Sequence, residues 1–393
     1  MAENANSTLK LTNTLIYDTS AHEFRHGSLT VSDGIIGEVN YGASENGTGI
    51  DLGGMRLVPG MVDIHTHGRS GYDMPYVNSD ELDTVRTSYA KAGTTTFMAT
   101  IGSCPVDDTR RLIHTLRCAK PGKGLANVGG LHFEGRYINL NRKGAHHPSL
   151  IAPPDCDEIK ELLALAHAKS DGETPLATHV TAAPELEGGM EFLRTVIENG
   201  ATFAIGHSDA TYDEAIAAVN AGASSFSHLF NAMRPIHHRD MGTAGAGLLS
   251  DAYAELICDG IHLSPATVQL VHRMKRPERV VLITDSCQAT GLPDGVYKKG
   301  KSEIIVKDGK VTLPDGTISG STLSLYNGML NYAKFCGITY EEAIPLATVN
   351  PAKLVGLDGV CGSIEAGKRA DLLVCDGDMK LCRVLVNGRW IDE

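Results

Sequence analysis

The sequence predicts an α/β protein: a (β/α)8 TIM barrel carrying a small β-sandwich-like domain built from both chain termini. Three observations lead there. Eight apolar runs of strand length recur through the middle of the chain, helical-period segments separate most of them, and β-rich segments occupy both ends. Such alternation favours a parallel sheet flanked by helices. Eight repeats favour a closed barrel over an open doubly wound sheet, and no G-x-G-x-x-G follows a strand to support a dinucleotide site.

In chain order, segments 9–17, 28–39 and 49–58 read as strands, rich in Leu, Val, Ile and Thr, with Asp-Gly and Gly-Gly turn signals. The barrel strands are expected at 61–64, 94–101, 126–133, 175–180, 201–205, 223–227, 254–258 and 280–284. Helices are expected at 79–92, 107–118, 155–168, 189–199, 212–221 and 264–274. Gly93, Gly200 and Gly222 close three of these, as left-handed C-terminal caps do. Segment 362–393 returns to strands at 370–375 and 382–391, with a hairpin turn at Asn387-Gly388. The implied division is 1–58 and 350–393 for the small domain and 59–349 for the barrel. Trp390, the single tryptophan, is expected to pack the small domain.

Composition narrows the function. With 393 residues, 42% of them hydrophobic, the chain can bury a large core. A net charge of −12 excludes a general nucleic-acid binder, which needs a basic surface. A small anionic substrate stays open, because a few local cations suffice for it. No apolar run reaches the roughly 18 residues of a membrane span, and Met1 to Thr8 lack the apolar core of a signal peptide. Nine scattered cysteines without a C-x-x-C pair suggest reduced thiols and a cytoplasmic location.

The reactive side chains gather at the C-terminal ends of the expected strands, the face where barrel active sites form. Asp63-Ile64-His65-Thr66-His67 closes the first strand, and alternation puts His65 and His67 on one face. His132-Phe133-Glu134 closes the third, Gly206-His207 follows the fifth, Ser227-His228 closes the sixth, and Thr284-Asp285 closes the eighth. One such end could be accidental; five point to a site. A catalytic divalent ion takes about three protein ligands and keeps a position open. Glu134, His207 and His228 can supply them from three strands. Asp285 is the carboxylate available to take a proton from water and pass it to a leaving amine. His179, at the end of the fourth strand, is expected near the site without being a ligand. His237 and His238 read as surface residues.

These residues, with Lys143-Gly144-Ala145-His146, Ala183-Pro184-Glu185, His228 to Met233, Asp259 to His262, Ile318 to Ser321 and Asn350-Pro351-Ala352, resemble the N-acetylglucosamine-6-phosphate deacetylases, a branch of the amidohydrolase superfamily. The resemblance covers nearly the whole chain. It implies hydrolysis of the N-acetyl amide of a 6-phosphorylated amino sugar to acetate and the free amine, in amino-sugar catabolism. It implies Glu134, His207 and His228 as metal ligands and Asp285 as base, then acid. It further implies that Ala145, His146 and His262 meet the sugar or the carbonyl. Asn231, Ala232 and Arg239 would hold the phosphate, with Arg239 reaching a neighbouring subunit of a homodimer. Ile318, Ser319 and Gly320 would line the acyl side. The donor set suits zinc first, with iron or manganese as alternatives.

Two features set this chain apart. His65 and His67 resemble family members able to hold a second metal, which predicts two ions bridged by Glu134; the other reading keeps both histidines as supports around one ion. Arg136 stands where the family usually has proline, either solvated or near the substrate anion. Three further functions remain to be weighed. An N-acetylgalactosamine-6-phosphate deacetylase differs at one hydroxyl. A cyclic-amide hydrolase would use a strand-end lysine where Glu134 stands. A non-catalytic metal-binding protein would have no use for Asp285.

Overall fold

The structure, a computed structural model, describes residues 8–42, 49–169, 173–299 and 302–391. Of the polar leader only Thr8 is among them. Eight parallel strands form the barrel: Met61–Thr66, Thr94–Ile101, Asn127–Phe133, Ala177–Ala182, Thr202–Ile205, Ser225–Phe226, Tyr253–Ile257 and Val280–Ile283. Each pairs with the next in sequence. The ring closes where the Asp285 N–H donates to the His65 carbonyl at 2.9 Å and the His67 N–H to the Ser286 carbonyl at 2.8 Å. Every residue of the first two strands is buried, as expected of strands covered on both faces.

All six expected helices form, at Ser79–Lys91, Val106–Cys118, Cys156–His167, Gly189–Glu198, Tyr212–Asn220 and Pro265–Met274. Local chemistry fixes their starts. Asn78 with Glu81 and Thr211 with Glu214 make reciprocal capping boxes, and Asp155 caps the third helix. Gly200, at φ 83°, takes the left-handed turn that ends the fourth.

The small domain is one eight-stranded sheet woven from both ends of the chain. Leu372–Cys375 lies antiparallel to Arg56–Pro59, which in turn lies parallel to Leu9–Asp18. Leu11, Ile16, Leu57, Leu372, Leu385 and Trp390 share its core, so Trp390 packs as expected. The single strand expected at 28–39 is two, Glu23–Ser32 and Ile35–Tyr41. Asp33 (φ 52°) and Gly34 (φ 79°) make a two-residue hairpin between them, the conformation that matches strand twist.

Several elements lie outside the sequence reading. Gly242–Leu249 is a buried helix after the sixth strand. After the eighth strand, Gly295–Lys299, Ser302–Lys307, Lys310–Thr312 and Ile318–Ser321 form an antiparallel sheet. Helices Leu325–Cys336, Tyr340–Ala347 and Val349–Leu354 follow. The last of these packs on strands Met61–Thr66 and Val280–Ile283, so a domain boundary at residue 350 falls inside a helix that belongs to the barrel.

Candidate active site

Glu134 follows the third barrel strand, and its N–H donates to the Ile101 carbonyl at 2.9 Å, extending the parallel ladder by one residue. Its side chain is thereby carried into the barrel mouth, buried at 4% exposure. One carboxylate oxygen, Oε1, lies 2.9 Å from His228 Nε2 and 3.4 Å from His207 Nε2. The other, Oε2, lies 3.2 Å from His65 Nε2 and 3.0 Å from His67 Nε2. Asp285 Oδ1 stands 3.2 Å from His67 Nε2 and 3.8 Å from His65 Nε2. The six residues expected at strand ends thus converge, divided into two groups by the two oxygens of Glu134.

Backbone geometry aims several of them. His207 (φ 47°), His228 (φ 33°) and Asp285 (φ 47°) all take the left-handed conformation just beyond their strands. Non-glycine residues enter that region rarely and at a cost of about 1–3 kcal/mol, and such positions cluster at functional sites. The turn redirects each side chain from the sheet surface toward the barrel axis.

Hydrogen bonds fix the ring orientations. His207 Nδ1 lies 2.8 Å from the Arg142 carbonyl, which can only accept, so Nδ1 donates there and Nε2 is the ring atom turned to the site. His207 Nε2 and His228 Nε2 are 3.1 Å apart beside Glu134 Oε1. The Ser103 hydroxyl donates to the Gly135 carbonyl at 2.6 Å and therefore accepts from His146 Nδ1 at 2.9 Å. His146 Nε2 faces Glu134 Oε2 at 3.8 Å. His262 donates from Nδ1 to Asp259 at 2.7 Å, leaving Nε2 to the cavity.

Charge confirms how tightly these groups are coupled. Burial works to raise the Glu134 carboxyl, yet His65, His207 and His228 hold it well below the usual carboxylate range. Burial likewise opposes ionisation of Asp285, and His67 and His65 overcome it. Burial would lower His65, but Glu134, Glu255 and Asp285 raise it well above an ordinary imidazole. A buried carboxylate and a largely buried one here demand nearby positive charge, which protons on imidazoles or a bound cation can supply. Two imidazole nitrogens directed at one point beside a carboxylate oxygen fit a divalent cation. Closely spaced ligand atoms fall into the groups His65–His67–Asp285, His65–Glu134–His228 and Glu134–His146–His207.

The cluster forms the floor of a cavity of roughly 620 Å3, whose wall includes Ala145, His146, Asn231, Ala232, His262, Ile318 and Gly320. Ser319, between the last two, is fully buried and does not line it. The unforeseen antiparallel sheet supplies Leu313 and Thr317 as well as Ile318 and Gly320. Arg239 is not brought to the cavity of its own chain: it is exposed, 2.6 Å from His238 Nε2. His237 and His238 are exposed, as expected. Arg136 is half-buried and does not line the cavity. Its guanidinium grips Glu158 through Nε (2.5 Å) and Nη2 (3.0 Å), and Tyr137 donates to the same carboxylate.

Sequence reasoning missed the supports. The Arg142 carbonyl, Ser103 and Asp259 carry no signal in their side-chain spacing. Glu255 did carry one: it is a lone carboxylate inside the apolar seventh strand. It sits at 0% exposure, with Ser225 Oγ at 2.7 Å and His179 Nε2 at 3.2 Å on its Oε1.

Known proteins share this architecture. The model of the amidohydrolase family matches residues 56–391. The N-acetylglucosamine-6-phosphate deacetylase of Vibrio furnissii is 34% identical over 354 residues, covering 90% of this chain and 87% of that one. The N-acetylgalactosamine-6-phosphate deacetylase of Escherichia coli O157:H7 is also 34% identical, over 336 residues, covering 85% and 87%. A solved structure of a mutant N-acetyl-D-glucosamine-6-phosphate deacetylase from Mycobacterium smegmatis, in complex with N-acetyl-D-glucosamine-6-phosphate, has a TM-score of 0.89. It is 33% identical and covers 98% of this chain and 100% of that chain. A family match over residues 56–391, together with relatives 33–34% identical along most of their own length, makes this chain a member of the amidohydrolase family.

Proposed function

We propose that this protein hydrolyses the N-acetyl amide of N-acetylglucosamine 6-phosphate to acetate and glucosamine 6-phosphate, as a step of amino-sugar catabolism in the cytoplasm. The observation that carries the reading is the division of Glu134 between two histidine pairs, with Asp285 beside one of them, at the floor of a sugar-sized cavity. The relatives' activity agrees with it.

In this reading Glu134, His207 and His228 would hold one divalent ion, and His65 and His67, next to Glu134, would hold a second; zinc suits the donors best. A divalent ion held there supplies Lewis acidity toward water and an amide carbonyl. Asp285 takes a proton from the attacking water and returns it to the amide nitrogen as the C–N bond breaks. Its carboxyl is ionised at neutral pH, as a base must be. His262, locked through Nδ1 by Asp259, and His146, locked by Ser103, present Nε2 to the sugar and carbonyl. Ala145, Asn231 and Ala232 contact the phosphorylated sugar, and Ile318 and Gly320 form the acyl side, with Ser319 buried behind them. Arg239 completes the phosphate site from the second subunit of a homodimer, consistent with its distance from the cavity of its own chain.

The test is a panel of N-acetylated glucosamine and galactosamine, each with and without a 6-phosphate, assayed for acetate release. Fastest turnover of the phosphorylated gluco sugar is expected. Preference for the galacto epimer would move the assignment to the activity of the Escherichia coli relative, and no acetate from any of the four would refute it.

A further inference from the structure

Beneath the cluster, one ring nitrogen of His65 and one carboxylate oxygen of Glu255 face each other. His65 Nδ1 and Glu255 Oε2 are both buried, and neither has a hydrogen-bond partner among the described residues. They stand 3.7 Å apart, roughly 0.7 Å beyond ordinary N–H···O length, a gap that a small ring rotation closes. Burying a carboxylate at 0% exposure is costly unless each oxygen is satisfied. Oε1 is satisfied, by Ser225 Oγ at 2.7 Å and His179 Nε2 at 3.2 Å. The arrangement of His179 is also settled from its far side, where Nδ1 meets Thr202 Oγ1 at 2.7 Å. With both donors on Oε1, only Oε2 remains, and it faces His65.

We propose that Glu255 is a positioning residue that prepares His65 to bind the second divalent ion. It does so by accepting a hydrogen bond from Nδ1, which fixes the ring with Nε2, the atom that would bind the ion, turned toward Glu134 and Asp285. This rests on the two-ion reading of the site. A carboxylate behind a metal-binding imidazole fixes its tautomer and orientation, and removing one costs about 10–100-fold in metal affinity. Among the described residues no carboxylate stands behind His207 Nδ1, which is held by a backbone carbonyl instead. Glu255 therefore acts on one ion and not on the other. Its opposite neighbour His179 is the strut that keeps the carboxylate from turning away.

The experiment is zinc titration of the full-length metal-free protein, followed by calorimetry, with metal content per chain measured in parallel. Wild type, Glu255→Gln, His65→Asn and the double variant are compared, and circular dichroism checks each fold. Glutamine matches glutamate in shape, but its amide carries donors that compete with the Nδ1 proton. Two ions are expected for wild type. E255Q is expected to weaken the second ion about 10–100-fold while the first binds as in wild type. In the His65→Asn background E255Q is expected to change nothing, which a merely structural role would not produce. Equal weakening of both ions, or none, or an effect that persists without His65, overturns the proposal while leaving the two-ion reading intact. A single ion in wild type overturns both.

Discussion

The Nε2 atoms of His207 and His228 lie 3.1 Å apart, and the hydrogen bond that His207 Nδ1 donates to the Arg142 carbonyl holds the first of these rings in place. Two ring nitrogens held this close beside a carboxylate are stabilised by a cation between them. Chelation is therefore expected to abolish acetate release, and added zinc to restore it. His228→Asn is expected to lose the ion held by Glu134 and His207 and to lower turnover by at least about 100-fold. Unchanged metal content in that variant contradicts the ligand assignment.

Asp285 is assigned the proton transfers, a contribution of about 100- to 10,000-fold. Asp285→Asn keeps the shape of the side chain and removes the base. The expected outcome is loss of turnover in that range with Glu134, His207 and His228 still binding metal. Normal turnover in D285N would remove Asp285 from the mechanism.

Arg136 turns away from the site to form a two-pronged bond with Glu158. Arg136→Ala is expected to lower stability by about 1 kcal/mol. Its ratio of kcat/KM between the gluco and galacto sugars should equal that of wild type. A changed ratio would show that the arginine reaches the substrate after all.

Arg239→Ala should raise KM for the phosphorylated sugar and leave the plain sugar unaffected, because the guanidinium would serve the phosphate alone. Since it is remote from its own cavity, the effect should require the dimer. Sedimentation of wild type at assay concentration checks this, and a monomer with full affinity for the phosphate would exclude the role.

A prediction far from the site concerns Asp18 in the terminal sheet. Burial works to raise its carboxyl, but hydrogen bonds from Ser20, Arg25 and Ala21 outweigh it and bring the pKa to about 2. The folded value is below the unfolded one of about 3.9, so the stabilisation is present above pH 3.9 and is lost as pH falls toward 2. Asp18→Asn should cost about 1–2 kcal/mol at pH 7. In urea titrations the difference from wild type should shrink below pH 4; a difference constant down to pH 2.5 would disprove the ionic origin.

The sequence was most legible where periodicity and caps agreed. The helix at Ser79–Lys91 announces itself through Asn78 and Glu81, and the strand ends through His and acidic residues after apolar runs. Gly242–Leu249 was illegible because three of its eight residues are glycine, which disfavours helix, while burial on nearly all sides removes any polar stripe. The sheet at Gly295–Lys299 and Ser302–Lys307 was hidden by its lysines and its short strands. Glu255 was visible as a residue but not as a partner, because its meaning depends on strand Tyr253–Ile257 lying across the barrel floor from His65.

The pairing of Arg56–Pro59 with Leu372–Cys375 has a consequence for biogenesis. Arg56–Pro59 leads through Gly60 directly into the first barrel strand, so the barrel begins on a strand whose neighbour emerges from the ribosome only after all eight barrel strands have been made. Until then one edge of the terminal sheet stays open beside an otherwise complete barrel. Truncation before Leu372 should therefore produce chains that aggregate through that edge, and a chaperone that shields it would act until that strand has been made.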